Sequence, residues 1–115
     1  SSICGLEVIP GAPVTYSAAK AALHAYVRGI ARPIGKKNIR INAVSPGNIL
    51  FEGSVWERKL SENDKEVFDM CASEVSLGKL GHPDDVANLT AYLISPISSF
   101  ITGAIMTVDG GQVRT

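Results

Sequence analysis

The residues best placed to do chemistry are Tyr16 and Lys20, in the run Tyr16-Ser17-Ala18-Ala19-Lys20. Residues four apart on a helix share a face, so a phenol and an ammonium are held side by side. Free tyrosine ionises at about pH 10 and is a poor acid or base near neutrality. A neighbouring cation favours the phenolate. A phenol so placed can give a proton to a carbonyl oxygen or take one from an alcohol. The spacing alone is a weak signal, because a surface tyrosine beside a solvated lysine accounts for it as well. Three further groups flank the pair: Ser1-Ser2 upstream, Pro46-Gly47 downstream and Asp109-Gly110-Gly111 near the far end.

The elements that must position these groups alternate between helix and strand. Residues 1–15 carry Gly5, Pro10, Gly11 and Pro13, which is loop chemistry. From Tyr16 onward Ala19, Leu23, Tyr26, Val27, Ile30 and Ile34 recur every three or four residues. That pattern predicts a helix over 16–34 with one apolar stripe. Pro33 is expected to kink or end it, and Gly35-Lys36-Lys37-Asn38 reads as the stop. Residues 39–44 alternate apolar with polar or small side chains, predicting a strand ended by Ser45-Pro46-Gly47. Residues 48–60 show no period. Ser61 with Asp64 resembles a capping box, predicting a modest helix through Val67, Phe68 and Cys71. Pro83 suits a first helical turn, with Asp84 and Asp85 at the positive end of the helix dipole. The buried stripe of that helix should be Val86, Leu89, Leu93 and Ile94, with a stop at Ser95-Pro96. Residues 101–108 predict a last strand. This order is the alternation of an α/β domain with a parallel sheet.

Composition narrows the function classes. The chain has 115 residues, with Lys+Arg and Asp+Glu both 11, so its formal net charge is zero. That gives no electrostatic case for nucleic acid or an anionic membrane surface. No apolar run approaches the roughly 18–20 residues of a membrane span. Cys4 and Cys71 sit in no metal-binding spacing and fit reduced thiols, so no metal site is expected. Cys71 reads as a small buried hydrophobe. His24 and His82 read as a surface helix position and a helix start.

Five pieces in order resemble the short-chain dehydrogenase/reductase family: SSxxG at 1–5, YSAAKAAL at 16–23, IRINAVSPG at 39–47, GHPDDVAN at 81–88 and ITGAIMTVDGG at 101–111. The resemblance runs from Ser1 to Gly111 and implies the C-terminal half of a doubly wound, Rossmann-like parallel sheet. It implies that Tyr16 is the general acid/base, and that Lys20 favours the phenolate and holds the nicotinamide ribose hydroxyls. It makes Ser2, the second serine of its motif, the group that orients the substrate carbonyl. The plain alternative for Ser2 is a loop hydroxyl capping its own backbone. Pro46 and Gly47 would let the backbone approach the nicotinamide. Ile49 fills the family's isoleucine position, whereas Phe51 falls where members commonly carry a threonine that touches the cofactor. Residues at about 48–78 fall where the family places its substrate loop and lid. There Phe51, Val55, Trp56, Phe68 and Met70 either face substrate or pack the lid onto the core, and Trp56 is the preferred substrate contact.

The resemblance implies an oxidoreductase that interconverts a carbonyl and a secondary alcohol by hydride transfer with NAD or NADP. A 3-oxoacyl-carrier-protein reductase is the nearest alternative. A truncated, non-catalytic chain acting through association is an alternative of a different class. The glycine-rich turn that binds the dinucleotide occurs nowhere in the sequence. The residue that separates NAD from NADP, and the asparagine counted as a fourth catalytic residue, are likewise not among these residues. With Ser1 in place of an initiating Met, this leads us to expect a fragment of a longer enzyme, inactive by itself. A small carbonyl or alcohol substrate, a homotetramer or homodimer, and a cytoplasmic setting are also expected.

Overall fold

In a computed structural model that describes residues 1–114, the chain forms three helices and a two-stranded sheet. A 3-10 turn over Ile3–Gly5 leads to helix α1 (Val14–Gly35), strand β1 (Ala43–Pro46), helix α2 (Val55–Glu74), helix α3 (Pro83–Ile94), a second 3-10 turn (Pro96–Ser98) and strand β2 (Ile105–Val108). The strands pair in parallel, with Ala43 beside Ile105 and Ser45 beside Thr107. Parallel neighbours need a long crossover, which α2 and α3 supply.

Helix α1 packs on the Ile3–Gly5 turn. Gly5 permits this, because a Cβ there would lie 2.7 Å from both the Lys20 carbonyl carbon and His24 Cε1. The helix begins two residues before the expected start and runs through Pro33 to Gly35. Pro33 does not stop it because it lies in the last turn, where it removes one bond and little helix remains beyond it. Asn38 then takes a left-handed conformation at φ 58, a common way to leave a helix. The buried face differs from the expected stripe. Ser17, His24, Val27 and Ala31 are buried, whereas Leu23 and Tyr26 face outward. The surface position expected of His24 is therefore incorrect. The helix seats on the Ile3–Gly5 turn and reaches Ser45, near the end of β1, through His24, and that selects a narrower face than the apolar residues alone suggest.

The expected strand at 39–44 is shifted to 43–46. Residues 40–42 run beside 101–104, joined by one backbone bond from the Gly103 N–H to the Ile41 carbonyl at 2.6 Å and otherwise through side chains. Arg40 donates to the Ile101 carbonyl at 3.1 Å, the Ile41 N–H donates to Thr102 Oγ1 at 3.1 Å, and Asn42 Oδ1 accepts the Ala104 N–H at 3.1 Å. Groups bonded in this way are not free to form a regular ladder, and β2 is shortened to Ile105–Val108 for the same reason.

Helix α2 corrects the expected start at Ser61. Its N-cap is Ser54, whose Oγ accepts the Glu57 N–H at 3.1 Å. The S-x-x-E spacing over 54–57 is a capping signal that the missing hydrophobic period obscured. At Asn63 the backbone leaves helical angles, and Asn63 Oδ1 caps the second half by accepting the Glu66 N–H at 3.2 Å. Helix α3 has the expected bounds, with Asp85 Oδ2 accepting the His82 N–H at 2.8 Å. Leu93 is buried as expected, but Ile94 is exposed.

The apolar core joins Val67, Cys71 and Leu80, with Leu50, Trp56, Leu60 and Met70 against it. Cys71 is the expected small buried hydrophobe, and burial pushes its thiol pKa up. Among the described residues no helix is long and apolar enough to cross a membrane.

Candidate functional site

Ser2 sits in extended backbone just before the first 3-10 turn and is buried. Its Oγ accepts the Cys4 N–H at 3.1 Å. The backbone-capping alternative is thus present in the geometry. It uses a lone pair and leaves the Ser2 O–H proton free to donate.

Tyr16 lies in the first turn of α1 and is 43% exposed. The ring is open to an incoming molecule and still anchored to a rigid helix. Lys20 follows one turn later, half-buried, with Nζ 5.3 Å from the Tyr16 ring centroid. The four-residue spacing therefore places the cation over the ring, within the range of a cation–π contact.

Pro46 ends β1, and the Gly47 N–H donates to the Val108 carbonyl at 2.9 Å. A Cβ on Gly47 would lie 2.8 Å from Asp109 Cβ and 2.9 Å from Asp109 Cα. Asp109 is held by its own bonds, with Oδ1 accepting the Gly111 N–H and Oδ2 the Val113 N–H. The Asp109-Gly110-Gly111 run thus closes tightly against Gly47. Gly47→Ala should destabilise the full-length protein by ~1–3 kcal/mol through overpacking. Denaturant midpoints check this, and an unchanged midpoint would mean that the close approach relaxes freely. Ile49 forms an isolated parallel bridge with Gly81, which ties the segment after Gly47 to the entry of α3.

Trp56, on the first turn of α2, packs against the Val67–Cys71–Leu80 core, with Lys59 Nζ 4.5 Å from its ring centroid. The same side chain also reaches an open cleft of about 680 Å³. That cleft is lined by Ser2, Tyr16, Pro46, Gly47, Ile49 and Trp56. Four separate stretches of chain therefore converge on it. Lys20 is the one expected site residue outside the lining, although its Nζ lies over the Tyr16 ring.

Sequence reasoning missed Ser54, which is buried, caps α2 and also lines the cleft. Its Oγ accepts N–H bonds from both Glu57 and Phe51. Phe51 reaches the same cleft with an exposed ring and no hydroxyl. It thus offers no side-chain hydrogen bond at the position where the family commonly carries a threonine. Phe68, considered for the lid surface, faces outward, whereas Met70 joins the core. Among the described residues no group of three His, Cys, Asp or Glu side chains is placed to hold a metal ion.

A parallel sheet, Tyr16 on the helix preceding β1 with Lys20 beside its ring, and a serine loop on the same cleft as Tyr16 are the features to set against known proteins. The chain belongs to the short-chain dehydrogenase/reductase family. The family model described as enoyl-(acyl carrier protein) reductase matches residues 1–112. Isoepoxydon dehydrogenase patN of Aspergillus clavatus is 40% identical over 111 residues, which are 96% of this chain and 42% of that protein. The 3-oxoacyl-[acyl-carrier-protein] reductase FabG of Chlamydia trachomatis is 37% identical over 112 residues, 97% of this chain and 42% of that protein. Among solved structures, a 4-hydroxyisoleucine dehydrogenase mutant complexed with NADH and succinate superposes with a TM-score of 0.89 at 37% identity. That match covers 100% of this chain and 45% of the other. The chain thus spans less than half the length of these relatives. Its fold is that of the C-terminal part of their doubly wound, Rossmann-like sheet.

Proposed function

We propose that these residues form the catalytic half of a nicotinamide-dependent oxidoreductase that interconverts a carbonyl and a secondary alcohol. The observation that carries this reading is the convergence of Ser2, Tyr16, Pro46, Gly47 and Trp56 on one cleft, with Lys20 over the tyrosine ring.

The donors present suit the nicotinamide end of NAD or NADP. The Lys20 ammonium and the Tyr16 hydroxyl match a ribose diol, and Pro46, Gly47 and Ile49 offer an apolar, low-profile wall for a flat ring. The pyrophosphate and adenosine would be held by a dinucleotide-binding half outside these residues, and the choice between the two cofactors is made there. When bound, the nicotinamide supplies or accepts the hydride.

Ser2 donates its hydroxyl proton in a hydrogen bond to the substrate carbonyl oxygen and orients it. Tyr16 gives its phenolic proton to that oxygen as negative charge develops there. In the reverse direction the Tyr16 phenolate takes the alcohol proton. Lys20 stabilises the phenolate by charge. Residues 48–78 act as substrate loop and lid, with Trp56 against the substrate. Lys20→Met in the full-length protein should weaken cofactor binding and lower kcat together. A variant altered only in melting temperature would make Lys20 structural.

A second reading, a 3-oxoacyl-carrier-protein reductase, draws on the 37% identity to FabG. Preference for 3-oxoacyl thioesters over simple ketones separates it from the first. The outward Leu23 and Tyr26 face of α1 supports a homodimer or homotetramer, and the free thiols of Cys4 and Cys71 suit a reducing, cytoplasmic setting. The test is the full-length protein with NADH and NADPH against panels of ketones and 3-oxoacyl thioesters. Carbonyl-dependent cofactor oxidation is expected. Silence with both cofactors across both panels would overturn the reading and favour a non-catalytic chain acting by association. The intact mass of the natural product, well above 12.1 kDa or at that value, separates the same two cases.

A further inference from the structure

His24 takes no part in the chemistry above, yet it is among the most deeply buried side chains in the chain, 2% exposed. Its Nε2 lies 2.6 Å from Ser1 Oγ and 3.0 Å from Ser45 Oγ. Ser45 is itself fully buried. Ser1 precedes Ser2, Ser45 precedes Pro46-Gly47, and His24 sits one helical turn after Lys20. We infer that His24 is a positioning residue whose imidazole pins together the Ser1-Ser2 loop, helix α1 and the end of β1, the three segments that bring Ser2, Tyr16 and Pro46-Gly47 to one cleft. The inference rests on the oxidoreductase reading for its effect on catalysis and on the geometry alone for the pinning.

Two features favour this over a space-filling role. An aliphatic side chain would seal the same face of α1 at no polar cost, as Val27 and Ala31 do on the next two turns. A buried imidazole with two hydroxyl partners instead specifies direction. Burial is the largest influence on His24; it lowers the ring's pKa and favours the neutral imidazole, whose Nε2 the Ser1 and Ser45 hydroxyls share. The turn also approaches the helix at this point, where a Cβ on Gly5 would touch His24 Cε1 and the Lys20 backbone. The imidazole therefore sits where a small shift changes the distance between Ser2 and Tyr16. His24 lines no part of the cleft and acts only through its partners.

The test compares His24→Leu, His24→Gln and Ser45→Ala in the full-length protein, with melting temperature, kcat, KM and site-resolved amide exchange. In His24→Leu, kcat should fall by about 10-fold or more with KM for the carbonyl little changed, the pattern of lost orientation. Amide exchange at Cys4, Gly5 and Gly47 should accelerate while that at Leu93 and Val108 holds. His24→Gln, which keeps a polar group in reach of the serines, should recover most of both losses. Unchanged kcat and local exchange in a folded His24→Leu protein would overturn the inference. If that variant does not fold, Ser45→Ala decides in its place, with a fall in kcat expected and unchanged kcat and Gly47 exchange overturning the inference. If the unmodified protein turns nothing over, the oxidoreductase reading fails. The exchange measurement then still decides the pinning in either direction.

Discussion

Replacing Tyr16 by phenylalanine in the full-length protein should lower kcat by at least ~10²-fold, the usual scale for loss of a general acid/base. The change removes one hydroxyl from a residue already 43% exposed, so little packing is lost. The ring remains for Lys20 to face at 5.3 Å. Melting temperature should therefore stay within a degree or two of the parent, on the scale of an ordinary surface substitution of up to about 0.5 kcal/mol. The loss should appear in kcat and in kcat/KM together, because the proton is needed in the transition state and not for substrate binding. Steady-state kinetics with a saturating cofactor and any accepted ketone are the check. Turnover close to that of the parent would remove Tyr16 from the acid/base role and return the Tyr16–Lys20 pair to an ordinary surface contact.

The second large effect concerns residues 1–115 expressed alone, which should not form a stable monomer. Their radius of gyration is 15.6 Å, against about 13 Å for a compact domain of this length. Their accessible surface is 7526 Å², against about 6,000 Å² for a folded chain of this mass. Large apolar side chains contribute to it, with Tyr26, Ile39, Ile94 and Phe100 all facing outward. The sheet has two strands of four residues each, paired in parallel. Parallel strands are stable when both faces are covered, and a bare parallel edge recruits other chains. Amide spectra of the isolated residues should be broad and poorly dispersed, with concentration-dependent association. A sharp, dispersed spectrum with a cooperative melt would show that the segment is self-sufficient. The dinucleotide-binding half proposed above would then not be needed for folding.

Local signals carried much of the reading. Pro83, Asp84 and Asp85 define the start of α3 through backbone geometry and charge within a single turn, and the observed Pro83–Ile94 helix agrees with them. Tyr16 and Lys20 needed only the pitch of a helix to become neighbours, and the cation over the ring follows from it. The parallel sense of the sheet was also legible, because helix–strand alternation leaves few other arrangements. The first strand starts four residues later and ends two residues later than expected, because an alternating pattern does not reveal that the Arg40, Asn42 and Thr102 side chains will take up the bonds between 40–42 and 101–104. The start of α2 was missed because Ser54–Glu57, a four-residue capping signal, was outweighed by the lack of period around it.

The burial of His24, the second role of Trp56 and the presence of Ser54 in the cleft lay beyond the sequence. Each depends on contact between segments far apart in the chain: residue 24 with residues 1 and 45, and the first turn of α2 with the loop at Ser2. By itself the sequence determined the chemical groups, their local spacing and the family. The tertiary structure decided which groups share a cleft, which helix face is inside, and which polar side chain joins the parts. Spacing and capping act within a turn or two of backbone, whereas burial is set by whichever distant surface arrives to exclude water.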